Sequence, residues 1–253
     1  GGDEKTGNTA TIKRLAYIVD GKKTMVPIIS GNSIRGQLRR LAMADMLERI
    51  GYRSRNLKIY NTLFSGGTLE SNESDSGYIN LELRQRLRET IPPLSLFGTA
   101  IGNQMLEGKI KVGIAIPICT ELSDYIAGAV PELTMYDLID TDFSTRRDDL
   151  HGDREEGERA IQMKVDWEVI VPGTQFAHRF SLVDATDLER STFGHIMALW
   201  QDRPYLGGKS GVGYGKVNIE YPHIPDPTPY RQWIGDNGHL IVDELTALED
   251  EFK

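Results

Sequence analysis

Apolar and polar residues alternate loosely over 10–19 and close on Leu15-Ala16-Tyr17-Ile18-Val19, the two-residue period of a strand. Asp20-Gly21 is a hairpin-turn pair, and residues 24–29 read as the return strand. Ser30-Gly31-Asn32-Ser33 then supplies N-cap candidates for a helix from about 34 to 50, which Gly51 ends. On that helix Ile34, Leu38 and Leu41 face a core, while Arg35 and Arg39 are i,i+4 neighbours on another face. Leu83, Leu87 and Ile91 predict a short charged helix that Pro92-Pro93 should stop. Residues 109–118 are strand-like, and 163–171 and 175–183 read as strands joined by a Pro172-Gly173 turn. Thr186-Asp187-Leu188-Glu189 is a capping box, followed by Phe193, Ile196, Met197 and Trp200 at helical spacing. Residues 216–221 alternate as a half-buried strand does, and Ile241, Leu245, Leu248 and Phe252 mark an amphipathic C-terminal helix.

Two stretches break the pattern. Residues 65–77 hold one apolar side chain, Leu69, so 65–78 is expected as a flexible loop. Residues 141–160 are charge-dense and read as an exposed excursion. Helices and strands alternate without a βαβ rhythm, which predicts an α+β chain with insertions.

A hydrophobic fraction of 39 % over 253 residues supports one large domain, or one domain with a sizeable insertion. No run is apolar enough to span a bilayer, and Gly1-Gly2-Asp3-Glu4-Lys5 does not read as a signal peptide. The lone cysteine, Cys119, ends an apolar run and is expected buried; a cytoplasmic protein follows. The net charge of −8 argues against a uniform coat of nucleic acid. Its distribution is uneven: residues 10–40 carry seven bases against one acid, and 234–253 six acids against one lysine.

Candidate chemistry concentrates in Gly207-Gly208-Lys209-Ser210-Gly211-Val212-Gly213-Tyr214-Gly215-Lys216-Val217. Glycine at this density lets backbone N–H groups approach a phosphate. A P-loop would need glycine where Arg203 stands, and a Rossmann loop needs strand before loop and helix after; here the order is helix, loop, strand. The five histidines are scattered, with no metal-ligand spacing, and no catalytic or cofactor motif is complete. Lys209, Tyr214 and the Arg35/Arg39/Arg40 cluster suit nucleic acid, yet a tight connection and a solvated helix face fit the same residues.

Four segments together resemble the RAMP (repeat-associated mysterious protein) superfamily of CRISPR systems. Pro27-Ile28-Ile29-Ser30-Gly31-Asn32-Ser33-Ile34-Arg35-Gly36 resembles its P-x-I-P-G-S-S-L-K-G approach to the first helix, and Leu96-Phe97-Gly98 its L-F-G. Val171-Pro172-Gly173-Thr174-Gln175-Phe176 resembles V-P-A-G-T-x-F, and residues 207–217 resemble the signature glycine-rich loop. The four span 27–217.

The resemblance implies a ferredoxin-like (RRM-like) palm in a single domain, with a thumb-like insertion at about 135–165. It implies a type IV-like backbone subunit, related to type III subunits, that binds CRISPR guide RNA and assembles head to tail with copies of itself and other effector subunits to meet a target nucleic acid. Asn32, Ser33, Arg35, Gly36, Arg39 and Arg40 would hold RNA phosphates. Lys209, Ser210, Gly211 and Tyr214 would line the same groove, with Arg146 and Arg147 in the thumb. No cofactor or metal is implied. Family members carry a strand just before the Gly-Gly pair with which this sequence begins, so that strand is expected to be missing. Type III relatives cleave target RNA with an aspartate shortly before their basic I-x-R segment; aligned on Ile12-Lys13-Arg14, that place falls near Thr9. A non-catalytic scaffold is therefore expected, the alternative being a metal-dependent target-RNA endonuclease using Asp3 or Asp20.

Overall fold

The computed structural model describes residues 5–6, 9–69, 79–126, 128, 132–146 and 163–251. It divides into two compact units, Gly1–Ser30 with Gly113–Arg179, and Gly31–Val112 with Phe180–Lys253.

In the first unit the expected hairpin pairs Arg14–Val19 with Lys22–Pro27, Val19 lying opposite Lys22. Asp20 and Gly21 turn it at φ +49° and +72°, the left-handed pair that matches the twist of the strands. Alternation puts Tyr17 and Val26 on the inner face, where Val26 packs with Cys119, Leu122, Met135 and Leu138. Burial pushes the Cys119 thiol up to about 11, with Glu121 contributing, so it behaves as a small apolar residue. A four-stranded sheet runs Lys5–Thr6, Thr9–Ala10, Met163–Ile170, Ile139–Arg146. Its last two strands are antiparallel from Ile139↔Ile170 to Arg146↔Met163. Arg14 grips Glu168 with two parallel bonds of 2.7 and 2.9 Å, and the same carboxylate accepts from Ile12 N.

Among the described residues the second unit holds the α-helices: α1 (Gly31–Ile50), α2 (Leu57–Tyr60), α3 (Leu81–Thr90), α4 (Pro92–Phe97), α5 (Asp187–Asp202) and α6 (Thr228–Glu251). Leu38, Met43 and Met46 of α1, Ile196, Met197 and Trp200 of α5, and Ile241, Leu245 and Leu248 of α6 are all buried, and these three helices pack on one another. Thr186 and Glu189 close the predicted capping box of α5. The C-terminal pattern is met by α6 through Leu248; Phe252 lies outside the described residues.

Pro92-Pro93 ends α3 as expected and starts α4 at once, because a proline in the first turn sacrifices no helical hydrogen bond. Four expectations needed correction. The strand expected over 109–118 is two short ones, Ile110–Val112 and Ile116–Pro117, and that over 175–183 is likewise two, Phe180–Leu182 and Phe176–Ala177, which pair with them in turn. Residues 216–221 keep the alternation of exposure but join no ladder, making only a bridge between Tyr205 and Lys216. Within the stretch expected as a loop, Gly67–Leu69 forms a strand parallel to Thr99–Gly102, while 70–78 lie outside the described residues. Among the described residues no helix is long and apolar enough to cross a membrane.

Candidate functional site

Helix α1 and the glycine loop, which carry most of the predicted site, belong to the second unit. The face of α1 bearing Arg35 and Arg39 is not a solvated one. Arg39 is only 6 % exposed. Its guanidinium donates to Leu63 O at 2.5 Å, Thr62 O at 2.9 Å and Gly98 O at 2.8 Å. Two of these acceptors lie in a π turn, Asn61–Ser65, that continues α2 and ends at Gly66 with φ +93°. Carbonyls in a terminal turn lack intrahelical donors and gather partial negative charge, so a buried cation there answers both needs. Burial, with nearby Arg35, lowers the Arg39 guanidinium to about 10, which leaves it charged at neutral pH.

Half-buried Arg35 donates to Phe97 O. Phe97 and Gly98 belong to the Leu-Phe-Gly segment, so Arg35 binds the first recognised segment to the second and Arg39, one turn on in α1, reinforces the joint. Gly98 has φ +67°, and a Cβ there would sit 2.3 Å from Leu106 O; glycine is required twice over.

Three of the seven bases over 10–40 are thus engaged within their own units. Arg14 is paired with Glu168, and Arg35 and Arg39 serve main-chain oxygens. Arg40 is exposed, steadied by a 2.9 Å bond to Gln37 Oε1, and Asn32 is exposed near the start of α1. Ser33 and Gly36 are half-buried.

The glycine loop is pinched at its base. Leu206 N donates to Gly215 O and Val217 N to Pro204 O, both at 2.8 Å. A Cβ on Gly215 would lie 1.9 Å from Leu206 O, so this glycine serves the neck. The tip, 207–213, is exposed throughout and holds a single 3-10 turn, Ser210–Val212. Gly207 and Gly213 have positive φ, but Gly208 and Gly211 do not, and a Cβ on either would meet nothing within 4 Å. Neither conformation nor internal packing explains those two glycines. Lys209 and Ser210 between them face solvent, and Tyr214 is half-buried. Beside the neck an open cleft of about 600 Å³ is lined by Gln201, Pro204, Lys216, Val217, Asn218 and Ile219.

Arg146 ends a strand of the first unit, and Arg147 lies outside the described residues. His195 is 2 % exposed. It bonds Asp45 through Nε2 at 2.7 Å and accepts from Arg231 Nε at Nδ1 at 3.1 Å, an arrangement that fastens α1, α5 and α6. Asp20 is a turn residue, Asp3 lies outside the described residues, and among the described residues no three His, Cys, Asp or Glu side chains gather as a metal site.

The RAMP superfamily family model matches residues 6–218, 213 of the 253 residues and all four recognised segments. The chain belongs to the RAMP superfamily. A chain of a solved structure described as "Type IV-B CRISPR Complex" shares the fold at a TM-score of 0.63 and 21 % identity, over 88 % of this RAMP chain and 89 % of that one. Thermofilum pendens Csc2 is a more distant likeness, at a TM-score of 0.41 and 16 % identity over 98 % of this chain and 71 % of that one. No curated protein matches the sequence.

Sequence reasoning passed over the acceptors at Thr62 and Leu63 and the strand after Gly66. The available signal was Gly66-Gly67: a Cβ on Gly67 would lie 1.8 Å from Ala100 O, a close strand approach rather than a flexible turn.

Proposed function

We propose that this chain is a guide-RNA-binding backbone subunit of a CRISPR effector complex. It holds RNA by its phosphates and presents it for pairing with a target nucleic acid. The observation that carries the reading is the open tip of the glycine loop. Two glycines that the fold itself does not need stand on either side of Lys209-Ser210, offering bare backbone N–H groups beside an ammonium and a hydroxyl. Superfamily membership and the shared fold with a chain of a type IV-B complex support it.

In this reading Lys209, Ser210, Gly211 and Tyr214 form one wall of the groove, and Asn32, Ser33, Gly36 and Arg40 contribute from α1. Arg35 and Arg39 hold α1 against the Leu-Phe-Gly segment and act as positioning residues. The palm is of ferredoxin-like type in a single domain, with a thumb at 135–165 bearing Arg146 and Arg147. Copies assemble head to tail, with other effector subunits, in the cytoplasm. The subunit is a scaffold of type IV kind and does not itself cut.

The test is fluorescence anisotropy of labelled single-stranded RNA with purified protein across a salt series. Binding indifferent to sequence, with a negative salt slope that Lys209→Ala and Arg40→Gln reduce, supports the groove. Wild-type protein that binds no RNA overturns it. Cuts in complementary RNA on adding Mg²⁺ to the guide-loaded protein overturn the scaffold role.

A further inference from the structure

The segment that follows α1 in the second unit carries an aromatic ledge and several basic residues. From 49 to 69 the chain has Arg49, Arg53, Arg55 and Lys58 and no acid, in a protein whose net charge is −8. Arg49 is paired with Asp45. Arg53, Arg55 and Lys58 are exposed, and the two arginines have no hydrogen bond or ion pair among the described residues. Two residues beyond Lys58 stands Tyr60, 54 % exposed. Its ring stacks on that of Phe64, one helical turn on, with centroids 4.7 Å apart and planes 21° from parallel. Leu57, 69 % exposed, extends the apolar surface.

The ledge is held rigidly. The π turn carrying Phe64 is the one whose Thr62 and Leu63 carbonyls accept from Arg39, and Asn56 caps α2 by accepting from Lys58 N at 2.9 Å. An aromatic ring left in water but fixed by a partner ring loses little freedom when a flat ligand settles on it.

We infer that Tyr60, with Arg53, Arg55 and Lys58, forms a second contact for single-stranded nucleic acid, one base stacking on Tyr60 and the cations meeting the flanking phosphates. The inference rests on the proposed RNA-binding function and extends it to a surface outside the glycine loop. Exposed cations close in sequence to an exposed aromatic ring suit a single strand: every base has a π face, and every linkage is anionic. Of the acids placed against this segment, Asp45 pairs with Arg49 and Glu249 accepts from Ser54 Oγ, six residues before Tyr60. The strand could be the guide or its complement, which share this chemistry.

The experiment measures anisotropy of labelled single-stranded RNA with wild-type, Tyr60→Ala, Tyr60→Phe, and Arg53→Gln/Arg55→Gln proteins, each checked by thermal melting. Tyr60→Ala is expected to weaken binding roughly tenfold with little change in salt slope, and Tyr60→Phe to restore it. The double arginine variant is expected to reduce the slope by about 1.4. In guide-loaded protein, 4-thiouridine in the guide or in its complement should crosslink to the 53–64 peptide from one strand, which identifies the source. If Tyr60→Ala binds like wild type while Lys209→Ala does not, the ledge is refuted and the groove stands. If wild type binds no RNA, both fall. Unchanged RNA affinity with loss of self-association in Tyr60→Ala would make the ledge a protein contact and refute the inference.

Discussion

Arg39 donates a 2.8 Å hydrogen bond to the carbonyl oxygen of Gly98, joining the first helix to the Leu-Phe-Gly segment across 59 positions of sequence. Arg39→Gln removes a cation from beneath the carbonyls of three buried residues, of which Thr62 O also accepts from Thr99 Oγ1. The expected loss is about 3 kcal/mol of stability, read as a lowered urea midpoint. An unchanged midpoint would show that the carbonyls are satisfied by other means.

The glycines of the loop should separate by role. Gly208→Ala and Gly211→Ala should leave the melting temperature within about 2 °C of wild type, each altering stability by no more than about 0.5 kcal/mol. Both should weaken RNA binding, because a methyl then stands where backbone meets phosphate. Gly215→Ala should instead lower the melting temperature, since its Cβ would collide with Leu206 O. A uniform response across the three positions would contradict the division into neck and tip.

Lys209→Ala and Arg40→Gln should each weaken RNA binding and make the salt slope shallower by about 0.7, the value for one phosphate on a single strand. The two changes should add, and neither should alter the thermal melt. A slope that stays at the wild-type value would remove the mutated residue from the groove.

Acid should destabilise the fold through identified carboxylates. The Arg14 hydrogen bonds hold Glu168 below its usual range, despite burial. Burial raises Glu189, but bonds from Lys109, Ser95 and the Thr186 backbone outweigh it and lower the group. Each binds its proton more weakly folded than unfolded. Its contribution is therefore full above the ordinary glutamate value of 4.5 and is lost as pH falls through the depressed folded value. Urea midpoints measured from pH 7 down to 3 should show this decline. Glu189→Gln should cost about 3 kcal/mol at pH 7 and flatten the decline. A pH profile identical to wild type would exclude Glu189 as a source.

Local rules carried the hairpin, α1 and α5 from sequence to structure. Asp20-Gly21 and Thr186-x-x-Glu189 are signals whose physics closes within four residues. What escaped was set by distant partners. Arg35 and Arg39 carry the spacing of a solvated ion stripe, and only carbonyls at Thr62, Leu63, Phe97 and Gly98 reveal that they face inward. Residues 216–221 have a strand's alternation, yet alternation does not supply a neighbour to pair with. Of the candidate groove, the glycine loop was legible as a loop, but the distinction between Gly215 and Gly208 needed the position of Leu206.

The three oxygens that hold Arg39 all belong to the main chain, and a peptide carbonyl is the same whichever residue carries it. Drift at 62 and 63 therefore leaves this joint intact so long as the turn keeps its path, and no substitution there can compensate for losing the arginine. Statistical coupling between positions, the usual trace of a long-range contact, has nothing to record here. In an alignment of relatives this cross-link would show as one invariant arginine without a co-varying partner, easily mistaken for a residue kept for a ligand.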